Sequence, residues 1–168
     1  MSIEFSLFDP AQKYGGRKQF DCGHAVINKF VHDSLVTQVK KQLSVAYVLT
    51  ESDQNDRLIG FFTIAHHALD ASLLSTRQLG SLPRQVPCAR LIMLGVDQDF
   101  KHQNLGSRLM KHALAITKKS SSLMGCYGLY LDADPGAAGF YQKLGFALLE
   151  GNKSPESSPM FIALRSIP

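Results

Sequence analysis

The sequence predicts a mixed α/β domain, a mixed sheet with flanking helices. Three observations carry that expectation. Two long segments repeat apolar residues at three- and four-residue steps, the period of an amphipathic helix. Short runs rich in β-branched and aromatic residues lie between and after them. The run Ala89–Val96 is almost wholly apolar, as a central strand buried on both faces would be. Helix, two strands, buried strand, helix, strand, helix, strand is an order that a mixed sheet accommodates.

Each element has a local reason. In FDCGHAVINKFVHDSLVTQVKKQ, the residues Val26, Ile27, Phe30, Val31, Leu35 and Val39 form one apolar helix face, and Lys40 and Lys41 sit where positive charge suits a helix end. Ser44–Thr50 reads as a strand, the polar ESDQND segment as a turn, and Leu58–Ala65 as the next strand of a hairpin. Ala68–Leu79 suits either a short helix or irregular structure. Leu105, Leu109, Ala113 and Ile116 form a second helical stripe, with Arg108, Lys111, His112, Lys118 and Lys119 on a solvated face. Gly128–Ala133 predicts a strand, Ala137–Lys143 a short helix ended by Gly145, and Met160–Leu164 a last strand. Pro10–Arg17, Ser52–Asp56, Leu79–Pro87 and Gly151–Pro159 read as loops.

Length and composition bound the function. With 168 residues and 45% hydrophobic content, the chain predicts one domain spanning residues 1–168 with a core that needs no metal or disulfide. No apolar run approaches the ~20 residues of a membrane span. The opening MSIEFSLFDPAQK lacks a basic segment followed by an apolar core and predicts no signal peptide. Cys22, Cys88 and Cys126 are odd in number and widely spaced, which predicts free thiols in a reducing, cytoplasmic setting. A net charge of +4 mildly favours an anionic partner such as nucleic acid or an acidic cofactor.

The most informative unit is the buried strand running through a loop into a basic-faced helix. A helix N-terminus offers free N–H groups and about half a positive charge, which suits a pyrophosphate. Lys101, His102, Gln103, Asn104, Leu105, Gly106 and Ser107 form that loop and helix start. Neither GxxxxGK[ST] nor GxGxxG is present, which excludes the P-loop and dinucleotide-binding patterns.

The stretch LIMLGVDQDFKHQNLGSRLMKHAL resembles the acetyl-CoA-binding core of the GNAT superfamily of N-acetyltransferases. In that core a strand leads into a [Q/R]-x-x-G-x-[G/A] loop and then a helix. Gly106 matches the last glycine; Lys101 replaces Gln or Arg, and Asn104 replaces the first glycine. Asn is the non-glycine residue that best tolerates left-handed backbone. DADPGAAGFYQKLGF resembles the family's A-x-x-F-Y-x-K-x-G-F segment through Ala137, Phe140, Tyr141, Lys143, Gly145 and Phe146. The resemblance implies a GNAT acyl-CoA N-acyltransferase fold, acetyl-CoA as cosubstrate with no metal, and acetyl transfer to a primary amine. It implies that Leu94, Gly95 and Val96 supply strand backbone to the pantetheine arm and the reacting oxygen, with Gly95 permitting a bulge. It implies a cofactor role for residues 101–107, Asp134, Ala137 and Phe140, and the role of general acid to the leaving thiolate for Tyr141. The same residues leave Tyr141 readable as a core aromatic, and Asp134 as either orienting the amine or capping the short helix. No general base stands out: strand alternation sends His66 and His67 to opposite faces, where they read as solvated or packed. Cys22-Gly23-His24 offers too few ligands for a metal and reads as a helix start.

FDCGHAVINKFVHDSLVTQ is similar to the F-x-C-G-x-x-x-L-[ND]-x-[FW]-[LI] opening of acetyltransferase toxins from bacterial type II toxin–antitoxin pairs, through Phe20, Cys22, Gly23, Ile27, Asn28, Phe30 and Val31. RLIGFFTIA and Pro87 fit the same group, whereas Met93 replaces an arginine. This likeness implies acetylation of the α-amino group of an aminoacyl-tRNA, a ribbon-helix-helix antitoxin as partner and a homodimer. Lys13, Arg17, Lys18, Lys29, Lys40, Lys41, Arg77, Arg84 and Arg90 are candidates to hold tRNA phosphates. The alternatives are a GNAT acetyltransferase of a small-molecule or protein amine, and a non-catalytic acyl-CoA-binding module.

Overall fold

The structure, a computed structural model, describes residues 2–77, 80–149 and 156–168. Residues 78, 79 and 151–155 of the expected loops, and the side chain of Arg77, lie outside the described residues. Seven strands are hydrogen bonded in the order β1-β2-β3-β4-β5-β7-β6. They are β1 (Ile3–Leu7), β2 (Val45–Glu51), β3 (Arg57–Asp70), β4 (Gln85–Val96), β5 (Gly128–Ala133), β6 (Ala147–Leu148) and β7 (Ser158–Ala163). The helices are α1 (Ala25–Lys29), α2 (Leu35–Lys40), α3 (Leu105–Ser120) and α4 (Ala138–Lys143). The chain divides into two compact units, Met1–Ala65 with Ile92–Ala113 and His66–Leu91 with Leu114–Pro168.

In the first unit, β1, β2 and β3 form an antiparallel meander, with a bulge between Leu49 and Thr50. Alternation along β2 sorts its side chains onto two faces. Ala46 and Val48 join Phe20, Val31, Leu35 and Phe61 in a buried cluster under α1 and α2. Tyr47 faces the other way and stacks between Phe5 and Phe62, at ring-centroid distances of 5.5 and 5.3 Å. His112 of α3 lies flat on Phe5 at 3.6 Å. His112 is therefore a packing residue and not part of a solvated face. Strand β1 adds to the expected elements, although IEFSL alternates apolar and polar residues as a strand does. Its pairing with β2 and the stacking of Phe5 on Tyr47, Phe62 and His112 hold it.

The expected first helix forms with a change of register. Phe30–Ser34 is a π-helical turn set between α1 and α2, which rotates the apolar stripe. As a result Val26 is 63% exposed, while Val31 and Leu35 are buried. Strand β3 runs five residues past Ala65, to Asp70, and carries His66 and His67 inside it. The following segment, Ala71–Arg77, is a 3-10 helix.

In the second unit, β4 and β5 pair in parallel from Ala89↔Leu129 to Leu91↔Leu131, and β5 pairs antiparallel with β7 along its whole length. Leu69, Leu74, Val86, Cys88, Tyr130 and Phe161 form its core. The two-residue strand β6 was too short to give a periodic signal. The expectation that Ala89–Val96 is buried on both faces holds only for part of the run. Ile92, in the first unit, is 41% exposed, and Met93, Leu94 and Val96 are half-buried. An apolar strand end left open in this way needs a function, because burying it would stabilise the chain.

Burial, and next the Arg108 charge, push the His112 imidazole below its ordinary 6.5. Above pH 6.5 both folded and unfolded chains hold a neutral ring, so no penalty arises. Below it the unfolded chain takes the proton first, and stability falls. Urea titrations should give a constant unfolding free energy above pH 6.5 and a declining one below; His112→Phe should flatten part of that acid slope.

Candidate active site

The loop that ends β4 is built around a buried carboxylate. Asp97 is 4% exposed, and its backbone N–H donates to Ile59 O at 2.8 Å. Its Oδ1 accepts from Asp99 N at 3.0 Å and caps the 3-10 turn Gln98–Phe100, while its Oδ2 accepts from Asp21 N at 3.2 Å. Arg57 reaches Asp97 at 3.5 Å and Asp99 at 2.8 Å, and lies over the buried Phe100 ring. Lys101, His102, Gln103 and Asn104 then cross the surface, all exposed. His102 and Asn104 both take left-handed backbone, at φ 65 and 58°. Asn104 does what its replacement of glycine requires; the second left-handed residue, His102, had no sequence signal.

Leu105 is buried and anchors the start of α3. The first bond of the helix ladder runs from Arg108 N to Asn104 O at 3.0 Å. The ladder therefore leaves the N–H groups of Leu105, Gly106 and Ser107 to other acceptors, at the positive end of a 16-residue helix. These donors and the exposed loop before them fit a pyrophosphate.

Segment 21–23 locks this loop from behind. Gln98 N donates to Asp21 O at 2.8 Å, and the Lys101 ammonium donates to Cys22 O at 3.1 Å. Lys101 is thus partly turned toward the protein. Gly23 has φ 85°, a left-handed backbone that favours glycine. Asp21 in turn accepts from Gly23 N and Asn28 Nδ2, which hold its carboxyl below the ordinary value, while Asn28 Oδ1 accepts from Cys22 N. Asp21 and Gln98 were missed in the sequence; the Phe20–Asn28 motif was the available signal.

Gly95 also sits at a close packing contact. A Cβ on it would meet Cys22 Sγ and Ile27 Cγ2, each at 3.2 Å. It lets α1 and the Cys22 loop pack directly on β4.

Tyr141 belongs to the second unit, on α4. It is 9% exposed, with Phe140 and Phe146 edge-on to its ring at 5.1 and 5.8 Å. Burial, and next the Asp134 charge, push its phenol up to about 12. A phenol so placed keeps its proton across the whole physiological range and can only donate. Asp134 is exposed, and its carbonyl accepts from Ala137 N at 2.9 Å to form the turn that starts α4. Ala137 occupies the N-cap position without a side-chain bond, and Phe140 is half-buried.

His67 stacks on Tyr130 at 4.9 Å, and burial lowers its pKa. Tyr130 donates to Asp132 Oδ1 at 2.8 Å, and Arg90 pairs with Asp132 Oδ2 at 3.0 Å. His67 is thus packed, whereas His66 is exposed. Among the described residues no group of three or more His, Cys, Asp or Glu could hold a metal ion, and no helix is long and apolar enough to cross a membrane.

Comparison with known proteins gives this arrangement its class. The sequence model described as the Acetyltransferase (GNAT) family matches residues 29–146. The chain belongs to the GNAT acetyltransferase family, and so to the acetyl-CoA-dependent N-acetyltransferases. Among solved structures it is similar to a bacterial toxin at 32% identity, covering 99% of this chain and 93% of that one, with a TM-score of 0.94. It is similar to AtaTR bound with AcCoA at 26% identity, covering 98% and 95%, with a TM-score of 0.83. Its fold also matches AtaT complexed with acetyl-methionyl-tRNAfMet, at 24% identity over 99% and 97% of the chains and a TM-score of 0.88.

Two predictions test this geometry. Asp97→Ala removes the acceptor shared by Asp21, Asp99 and Arg57, and should lower stability by roughly 1–3 kcal/mol, the cost of donors left without an acceptor. Denaturant unfolding measures it; a loss under ~1 kcal/mol would show that the carboxylate does not organise the loop. Gly95→Ala should also destabilise, by ~1–3 kcal/mol of overpacking. Adding Cys22→Ala should recover part of that loss, a coupling that a double-mutant cycle reads directly.

Proposed function

We propose that this acetyltransferase acts on the α-amino group of an aminoacyl-tRNA, as a toxin that blocks translation, with residues 1–168 working as one catalytic domain. The observation that carries the proposal is the use made of the toxin-like N-terminal motif. Asp21 is bonded to Gln98 and Asp97, and Cys22 to Lys101, so the segment that likens the chain to the toxins also braces the loop proposed to bind phosphate. The likeness to a bacterial toxin over nearly the whole chain, and to AtaT complexed with acetyl-methionyl-tRNAfMet, supports the same reading.

Acetyl-CoA, when bound, supplies the acetyl thioester. The N–H groups of Leu105, Gly106 and Ser107, with the exposed backbone of residues 101–104, would hold its diphosphate. The end of β4, Leu94-Gly95-Val96, in which Leu94 and Val96 are half-buried and Gly95 is buried, would offer its backbone to the pantetheine arm in the manner of an added strand. Asp134, Ala137 and Phe140 would flank the cofactor at the start of α4. Tyr141 would donate its phenolic proton to the departing sulfur. A thiolate whose conjugate acid has a pKa of about 8.5 is a fair leaving group, so one donor suffices. The acceptor amine must be neutral to attack. An aminoacyl α-amine has a pKa of about 8, so it loses its proton readily without a strong base. That chemistry agrees with His67 being engaged in packing. A cytoplasmic homodimer held by a ribbon-helix-helix antitoxin completes the proposal.

The deciding experiment incubates the protein with labelled acetyl-CoA and total aminoacylated tRNA. Label on the α-amine of one or more aminoacyl groups is expected. Label confined to a small amine or a protein terminus would overturn the tRNA reading, and no transfer to any amine would reduce the chain to an acyl-CoA-binding module. Tyr141→Phe should lower kcat by about 10²–10⁴ and leave acetyl-CoA affinity near wild type. The wild-type rate should rise with pH through the amine pKa and show no basic limb below pH 10, because the folded-state phenol titrates near 12. A fall in rate at pH 9 would remove Tyr141 as the acid.

A further inference from the structure

We infer that the basic pocket formed by the N-terminal loop and α2 in the first unit is a docking site for the phosphate backbone of RNA. The inference deepens the aminoacyl-tRNA reading and rests on it. The pocket has a volume of about 420 Å³. Its wall carries three cations, Lys13, Arg17 and Lys18, two amides, Gln12 and Gln19, and no carboxylate.

Two of these cations are held in place by the protein. Arg17 Nη1 donates to Val31 O at 2.9 Å and His32 O at 3.1 Å, and Lys18 Nζ donates to His32 O at 2.8 Å. Both carbonyls belong to the π-helical turn Phe30–Ser34. A guanidinium has five N–H donors, and those on Nε and Nη2 take no part in these bonds. The loop itself is pinned to the β2–β3 turn. Gly15 N donates to Asn55 O at 3.1 Å, Leu58 N donates to Gly15 O at 2.8 Å, and Tyr14 Oη accepts from Asp9 N at 2.9 Å. The pocket is therefore built before any ligand arrives, which lowers the ordering cost of binding.

The wall chemistry selects the ligand. A protein partner draws most of its affinity from a few large side chains seated in well-packed, desolvated pockets. Here the apolar wall is limited to Pro10, Ala11, Val36 and the body of Tyr14. A phosphodiester asks only for fixed cations and N–H donors, and the Arg17 fork matches its oxygens.

The test uses Lys13, which is exposed and makes none of these structural bonds. Binding of fluorescent, deacylated tRNA to the full protein is followed by anisotropy across a salt series. Lys13→Glu should weaken binding about three- to tenfold and reduce the slope of log K against log salt by roughly one. Thermal stability and acetyl-CoA affinity should stay at wild-type values. With aminoacyl-tRNA as acceptor, KM should rise and kcat hold. Unchanged affinity and slope in both Lys13→Glu and Lys13→Gln would overturn the proposal. Binding of an acidic peptide in place of tRNA, weakened by the same substitutions, would also overturn it in favour of a protein partner. Lys13-dependent tRNA binding without acetylation of any aminoacyl-tRNA would keep the pocket and defeat the substrate reading, so the two failures are distinct.

Discussion

The carboxylate of Asp97 is the constraint on which the first unit depends. One buried side chain ties together the end of β4, the Asp21 backbone and the turn that carries Phe100, with Arg57 balancing its charge. A buried carboxylate is costly unless paired and fully hydrogen bonded. Here its partners come from three separate parts of the chain, so its satisfaction fixes where the loop before α3 stands. The left-handed residues His102 and Asn104 follow from that placement, since the chain must turn sharply between a fixed Phe100 and a buried Leu105.

The first helix shows how a local irregularity is used. The Val31 and His32 carbonyls of the π turn accept from Arg17 and Lys18, which attaches the N-terminal loop to this helix. The same turn explains why Val26 faces solvent although the sequence placed it on the apolar stripe.

Tyr141 illustrates a second kind of dependence. Its side chain is buried by Phe140 and Phe146, and that burial, more than the Asp134 charge, keeps the phenol protonated. The F-Y pair therefore acts as one element in which the first ring supplies an apolar environment for the second. A buried phenol with a raised pKa is a weaker acid than free tyrosine, and it remains protonated at every pH at which a thiolate would need its proton.

The sequence by itself determined the α/β class, the strand–loop–helix at 96–107, the helix carrying Tyr141 and the GNAT family. These are local patterns: hydrophobic period, a residue able to adopt left-handed backbone, and motif spacing are all written within a few turns of chain. Tertiary structure alone decided the rest. Strand β1 alternates in sequence, but its place at the sheet edge is set by pairing with β2. His112, written on a basic helix face, stacks on Phe5 from the far end of the sequence. Gly95 lies against Cys22 and Ile27, a close approach that the strand containing it does not foretell. In each case the deciding partner lies at least 40 residues away, and a contact across that distance leaves no period or motif in the sequence to be read.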